Sequence, residues 1–186
     1  KAFILKHPES IVSIYLLQKY FVQQGSTNLQ EISQILDVLL QTQPEASQLM
    51  SIKRTLDAQE KVKVGMKAPD FMLRDIQGSL QDLSHYKDST LLLCFWANWQ
   101  NDSKEAMRSL RRVKREEWSR KVSIVSVSLD LAKVSWRTAL RVDSIPGHHI
   151  CDLHAWENSA VKAYGISELP TFVLIDTDNK IVAREN

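Results

Sequence analysis

The chain has 186 residues, of which 44% are hydrophobic and 25% charged, and its formal net charge is +2. This is the composition of a soluble globular chain, long enough for one or two domains with a sizeable core, and so small a charge gives no reason to expect nucleic acid or an anionic membrane as a partner. No apolar run reaches the roughly 20 residues that span a bilayer, and two cysteines, Cys94 and Cys151, are too few for a disulfide scaffold.

The chain opens Lys1-Ala2-Phe3, with no initiator Met and no signal-peptide pattern, and so reads as a processed or trimmed product. Up to residue 62 the pattern is helical and poor in glycine. His7-Pro8-Glu9-Ser10 predicts a helix start, with proline tolerated in the first turn and an acid favourable there. Ile11, Ile14, Tyr15 and Leu17 supply an apolar face, and Gly25 ends the segment. Asn28 and Glu31 have the spacing of a capping box before Leu29, Ile32, Leu36 and Leu39. A third helix is expected from Pro44 to about Val62, with Leu49, Ile52 and Leu56 inward. These helices carry no catalytic motif and read as a packing or docking segment.

From residue 63 the period changes. Phe71-Met72-Leu73, the turn Asp75-Ile76-Gln77-Gly78 and Ser79-Leu80 predict a hairpin. Leu91 to Ala97 and Val122 to Leu129 read as strands buried on both faces. Helices are expected from Asn101 to about Arg120, with Ala106, Met107, Leu110 and Val113 on one side, from Leu131 to Arg141, and from Glu157 to Tyr164. His148 to Cys151 is short and strand-like. Thr171 to Ile175 and Lys180 to Ala183 form a closing hairpin around Asp176-Thr177-Asp178-Asn179. The alternation predicts an α/β domain over 63–186, a mixed sheet with helices on both faces, after a small all-α segment over 1–62.

Four segments of this region carry a resemblance. Gly65-Met66-Lys67-Ala68-Pro69-Asp70-Phe71 matches a G-x-x-A-P-D-F entry, and Cys94-Phe95-Trp96-Ala97-Asn98-Trp99 an N-F-W-A-x-W strand. Ser126-Val127-Ser128-Leu129-Asp130 matches a second central strand, and Tyr164 to Asp176 a Y-G-[VI]-x-x-x-P-T-x-x-L-I-D segment. In this order and spacing they resemble the TlpA/ResA-like thioredoxin-fold thiol–disulfide oxidoreductases of the AhpC/TSA–redoxin superfamily. The resemblance implies a thioredoxin-like fold, a bacterial periplasmic or cell-envelope address, and a cis bond before Pro170 beside the redox motif. There the backbone of Leu169 would pair with a bound peptide, making Trp99, Leu169 and Pro170 the expected binding residues. It also implies a last helix beyond Asn186.

The departure from the family pattern lies where its W-C-x-x-C motif belongs. Here the stretch is Trp99-Gln100-Asn101-Asp102-Ser103. Gln100 stands in place of the nucleophilic cysteine and Ser103 in place of the resolving one. An amide cannot attack a disulfide, and an unactivated hydroxyl is a poor nucleophile with no redox couple. Asn101, Asp102 and Ser103 also suit a helix start, with Asn or Asp as the cap. The expectation is a redox-inactive protein- or peptide-binding module with no cofactor.

Two other readings stay open. An oxidoreductase could use Cys94 or Cys151, although Cys94 sits in a buried strand pattern that makes a thiol inert. His149, Cys151 and His154 could ligate a metal, since imidazole and thiolate are good zinc or copper ligands. The run Lys104, Arg108, Arg111, Arg112, Lys114, Arg115, Arg120 and Lys121 reads as a solvated basic face or as a site for an acidic partner.

Overall fold

The structure is a computed structural model that describes residues 1–22, 29–86, 88–113 and 121–185. The chain divides into two compact units, Lys1–Glu60 and Lys61–Asn186. The first unit contains helices α1 (Ala2–Lys6), α2 (Ile11–Leu17), α3 (Leu29–Thr42) and α4 (Ser47–Lys61, whose last residue begins the second unit), with a π-helical turn, Gln18–Val22, after α2. Ser10 caps α2 by accepting the Val12 N–H at 3.2 Å. Ile4, Ile14, Leu17, Ile35, Leu36, Leu39, Leu49 and Ile52 close its apolar core. Three expectations change here. Pro8 lies before the cap and not in the helix, Ile11 and Tyr15 face outward, and α4 begins at Ser47 and not at Pro44. Helical spacing marks a stripe of apolar residues, but only part of that stripe meets a partner helix. Gly25 and the proposed cap Asn28 lie outside the described residues.

The second unit opens with a short hairpin, β1 (Leu73–Arg74) and β2 (Leu80–Gln81), held by its turn acid. Asp75 Oδ1 accepts the N–H groups of Gln77 at 2.9 Å and Ser79 at 2.8 Å. A five-stranded sheet follows, built from β3 (Thr90–Trp96), β4 (Val122–Ser128), β5 (His148–Ile150), β6 (Thr171–Ile175) and β7 (Ile181–Glu185). The order is β5-β4-β3-β6-β7, with β3–β4 and β4–β5 parallel and β3–β6 and β6–β7 antiparallel. Helices α5 (Asn101–Val113), α6 (Lys133–Asp143) and α7 (Ser159–Ala163) complete the unit.

The strand period of two sorts the side chains into two layers. Leu91, Leu93, Phe95 and Ala97 join Val125, Val127, Val173 and the α7 residues Ala160 and Val161 on one face. Cys94 and Trp96 turn to the other face, against Met107 of α5 and Trp136, Ala139 and Leu140 of α6. Helices on both faces of a mixed sheet are the thioredoxin-like architecture. The expected helix 157–164 is a 3-10 turn, Ala155–Glu157, followed by α7, whose cap Asn158 accepts from Ala160 and Val161. On α5, Met107 is buried but Ala106 and Leu110 are half-buried and Val113 is exposed, so the apolar face is narrower than the spacing suggested. The expected continuation of this helix over 114–120 lies outside the described residues.

Candidate functional site

The pairing Phe95↔Thr171 sets the C-terminal end of β3 beside the N-terminal end of β6. The segment leaving β3 and the segment entering β6 must therefore meet. They meet at the positions where the sequence lacks its cysteines. The Gln100 carbonyl accepts the Lys104 N–H at 3.2 Å, the first helical bond of α5. The cap is thus Gln100, one residue before the expected Asn101 or Asp102, and Asn101–Ser103 form the first turn. Gln100 Nε2 donates to the Leu169 carbonyl at 2.6 Å, and Ser103 Oγ donates to Gln100 Oε1 at 2.5 Å. The orientation of the carboxamide is fixed by its partners, because a backbone carbonyl only accepts. The Leu169–Pro170 peptide bond is cis.

This bridge joins the start of α5 to the loop before β6 across 69 residues of sequence. Ser103 is fully buried, and its hydroxyl is satisfied by donating to Gln100. Leu169 is buried and Pro170 half-buried, and one lone pair of the Leu169 carbonyl is already taken. Of the three expected binding residues only Trp99, 57% exposed, presents most of its side chain to solvent.

Beside Asn98 lies a buried carboxylate that sequence reasoning did not single out. Asp130 is 2% exposed and accepts the Asn98 N–H at 3.2 Å through Oδ1 and the Ser128 hydroxyl at 2.8 Å through Oδ2. Burial pushes its pKa up, against the pull of those two donors. Its sequence signal was an acid ending an apolar strand, two residues after a serine. Leu131 is 71% exposed and Val134 78%. Val134 and Val142 face Asn98, Lys104 and Arg108 across a groove of about 390 Å³. Arg108 is not merely solvated, since its Nε and Nη2 reach Asp143 Oδ1 at 2.8 and 2.7 Å and tie α5 to α6.

Cys94 and Cys151 are both buried, unpaired thiols. Burial drives both pKa values up, so both are held as thiols. The Cys151 Sγ donates to the Asp130 carbonyl at 3.5 Å and accepts the Leu153 N–H at 3.4 Å. The proposed metal ligands are not brought together: among the described residues no three His, Cys, Asp or Glu side chains are placed to share an ion. His149 instead pairs through Nδ1 with Ser126 Oγ at 2.7 Å, across the β4–β5 ladder. Burial, then the neighbouring His148, lowers its pKa to about 4. His154 stands 3.8 Å from Asp152. Lys114, Arg115 and Arg120 of the basic run lie outside the described residues.

The AhpC/TSA family model matches residues 64–184, well over half of the chain. The chain belongs to the AhpC/TSA family. Within this family it is similar to the thiol-disulfide oxidoreductase ResA of Bacillus subtilis, 27% identical over 66% of this chain and 67% of that protein. The ResA of Bacillus thuringiensis subsp. konkukian is 24% identical over 67% of this chain and 70% of its own. Among solved structures, a thiol-disulfide oxidoreductase from Bacteroides fragilis superposes with a TM-score of 0.60 at 32% identity, over 64% of this chain and 90% of that one. The C-terminal domain of a Bacteroides thetaiotaomicron thiol-disulfide oxidoreductase gives 0.62 at 28% identity, over 67% and 87%. The expected thioredoxin-like fold and TlpA/ResA-like membership are thereby established, and this AhpC/TSA protein is a thioredoxin-like member of the thiol–disulfide oxidoreductase family.

Proposed function

We infer that this family member acts in the bacterial cell envelope as a protein- or peptide-binding module that performs no dithiol exchange. The observation that carries this reading is the Gln100 bridge: the carboxamide and the Ser103 hydroxyl fill the positions of the thiol pair and satisfy each other. Neither group supports a disulfide couple. Cys94 and Cys151 do not take over, because burial hides both and disfavours their thiolates. The envelope address is the one the family resemblance implies.

The binding surface is centred on Trp99, the exposed aromatic side chain one residue before the bridge. Pairing of a peptide with the Leu169 backbone contributes less, since Gln100 Nε2 already occupies that carbonyl.

The test is insulin disulfide reduction together with binding of carboxymethylated insulin B chain, followed by fluorescence anisotropy. No turnover above background is expected. The B chain is expected to bind weakly, and Trp99→Ala to lower its affinity about fivefold, the scale of one lost aromatic contact. Turnover that survives alkylation of both cysteines would sink the redox-inactive reading. B-chain binding that is absent, or indifferent to Trp99→Ala, would sink the binding reading.

A further inference from the structure

A second concavity lies away from the Gln100 bridge, between the β1–β2 hairpin, α6 and the segment after β5. Its volume is about 430 Å³, within the range of small-molecule sites. The floor is apolar and built on buried groups, Leu73, Trp136 and Cys151. Met72 and Leu80 stand at its edge, 66% and 50% exposed, on a hairpin otherwise committed to the core through Leu73. Exposed apolar side chains converging on an apolar-floored hollow leave surface that water solvates poorly and that an apolar ligand body would cover.

The charges on the rim are unequal in availability. Asp75 spends Oδ1 on two backbone N–H groups and Oδ2 on Gln81 Nε2 at 3.0 Å. Asp152 Oδ1 accepts the His154 N–H at 3.0 Å and Asn158 Nδ2 at 2.8 Å. Arg74 gives one N–H to the Gly78 carbonyl at 2.7 Å, and among the described residues no acid pairs with Arg74 or Lys133. Asp75 is thus spent on its own turn and Asp152 in part on the loop after β5, while Arg74 keeps N–H groups beyond its bond to Gly78 and Lys133 has no acid partner among the described residues. We propose that this cavity binds a small organic anion with an apolar body, of the class of medium-chain carboxylates. The chain would lie on Leu73, Trp136 and Leu80 and the carboxylate between Arg74 and Lys133.

The probe is decanoate, titrated into the full chain by calorimetry and by amide and indole NMR shifts, with decyltrimethylammonium as the cationic control. One saturable site is expected, with shifts centred on Leu80, Trp136 and Cys151, and with decanoate preferred at least tenfold over the ammonium. Lys133→Glu, a change at an exposed position, should weaken decanoate about tenfold, and Lys133→Arg should leave it near the original affinity. Absence of saturable binding would overturn the proposal. So would equal binding of the cation, shifts centred on Val134 and Val142, or indifference to Lys133→Glu in a protein whose circular dichroism is unchanged.

Discussion

Gln100 holds two elements together with one side chain, and its chemistry can be exchanged for the missing one. Gln100→Cys with Ser103→Cys, in a Cys94→Ala, Cys151→Ala background, places two thiols three residues apart at the first turn of α5. The unpaired N–H groups of that turn favour the thiolate, while Asp102 opposes it. The expected outcome is a closable disulfide, a first thiol titrating below the ~8.5 of a free cysteine, and slow insulin reduction. Thiol titration and turnover check it, and an ordinary thiol pKa without ring closure would show a site altered beyond these two side chains. His149 yields a second residue-scale prediction. Its folded pKa of about 4 lies below the 6.5 of a free imidazole, because burial excludes the charged form. Above pH 6.5 this group costs nothing. As the pH falls towards 4 the unfolded chain takes up a proton that the folded one refuses, so stability is lost across that window, by at most about 3 kcal/mol. Asp130, whose pKa is raised, acts in the opposite sense at the acid end. Urea midpoints between pH 7 and 4 for wild type and His149→Gln isolate the imidazole, and the variant should lose part of the slope.

At the scale of elements, β5 reaches β4 because Gly147 permits it. Its φ is +100°, and a Cβ there would stand 2.3 Å from the Ile124 carbonyl oxygen. Gly147→Ala must either push β5 off the ladder or strain the backbone, and should cost about 3 kcal/mol or more by chemical denaturation. Ala substitution at Gly78, whose Cβ would meet open space, is the control for the positive φ alone. Most elements of this unit were legible in the sequence, because a continuous apolar run as short as Leu91 to Ala97, bounded by polar residues, suits a strand buried on both faces. Less was legible where partners decide. The α1 helix has five residues and no side-chain cap, and nothing in Ala2 to Lys6 announces it. Ile11 and Tyr15 fit the helical stripe yet face outward. At the site, Gln100 and Ser103 could be named as the altered positions. The bond from Gln100 to the Leu169 carbonyl could not, since it depends on β6 lying antiparallel beside β3. Asp130 was legible only as a strand ending.

For the whole molecule, the two units close separate cores, one around Leu17, Ile35 and Leu39 and the other around the sheet. A fragment spanning 61–186 is therefore expected to unfold in a single cooperative transition by itself, with both buried layers intact. A fragment spanning 1–60 is near the size where a core alone is marginal, and should melt broadly or at low temperature. Calorimetry of the two fragments checks both statements. The order β5-β4-β3-β6-β7 also sets a timetable for the ribosome. Leu93 at the centre of β3 pairs with Val173, about eighty residues later, which is roughly 4 to 16 seconds of translation. Until then Leu91-Leu92-Leu93-Cys94-Phe95-Trp96 has at most its β4 neighbour, and its other edge offers free backbone groups to any extended chain nearby. For that interval the strand that organises the finished sheet is the one most exposed to misassembly.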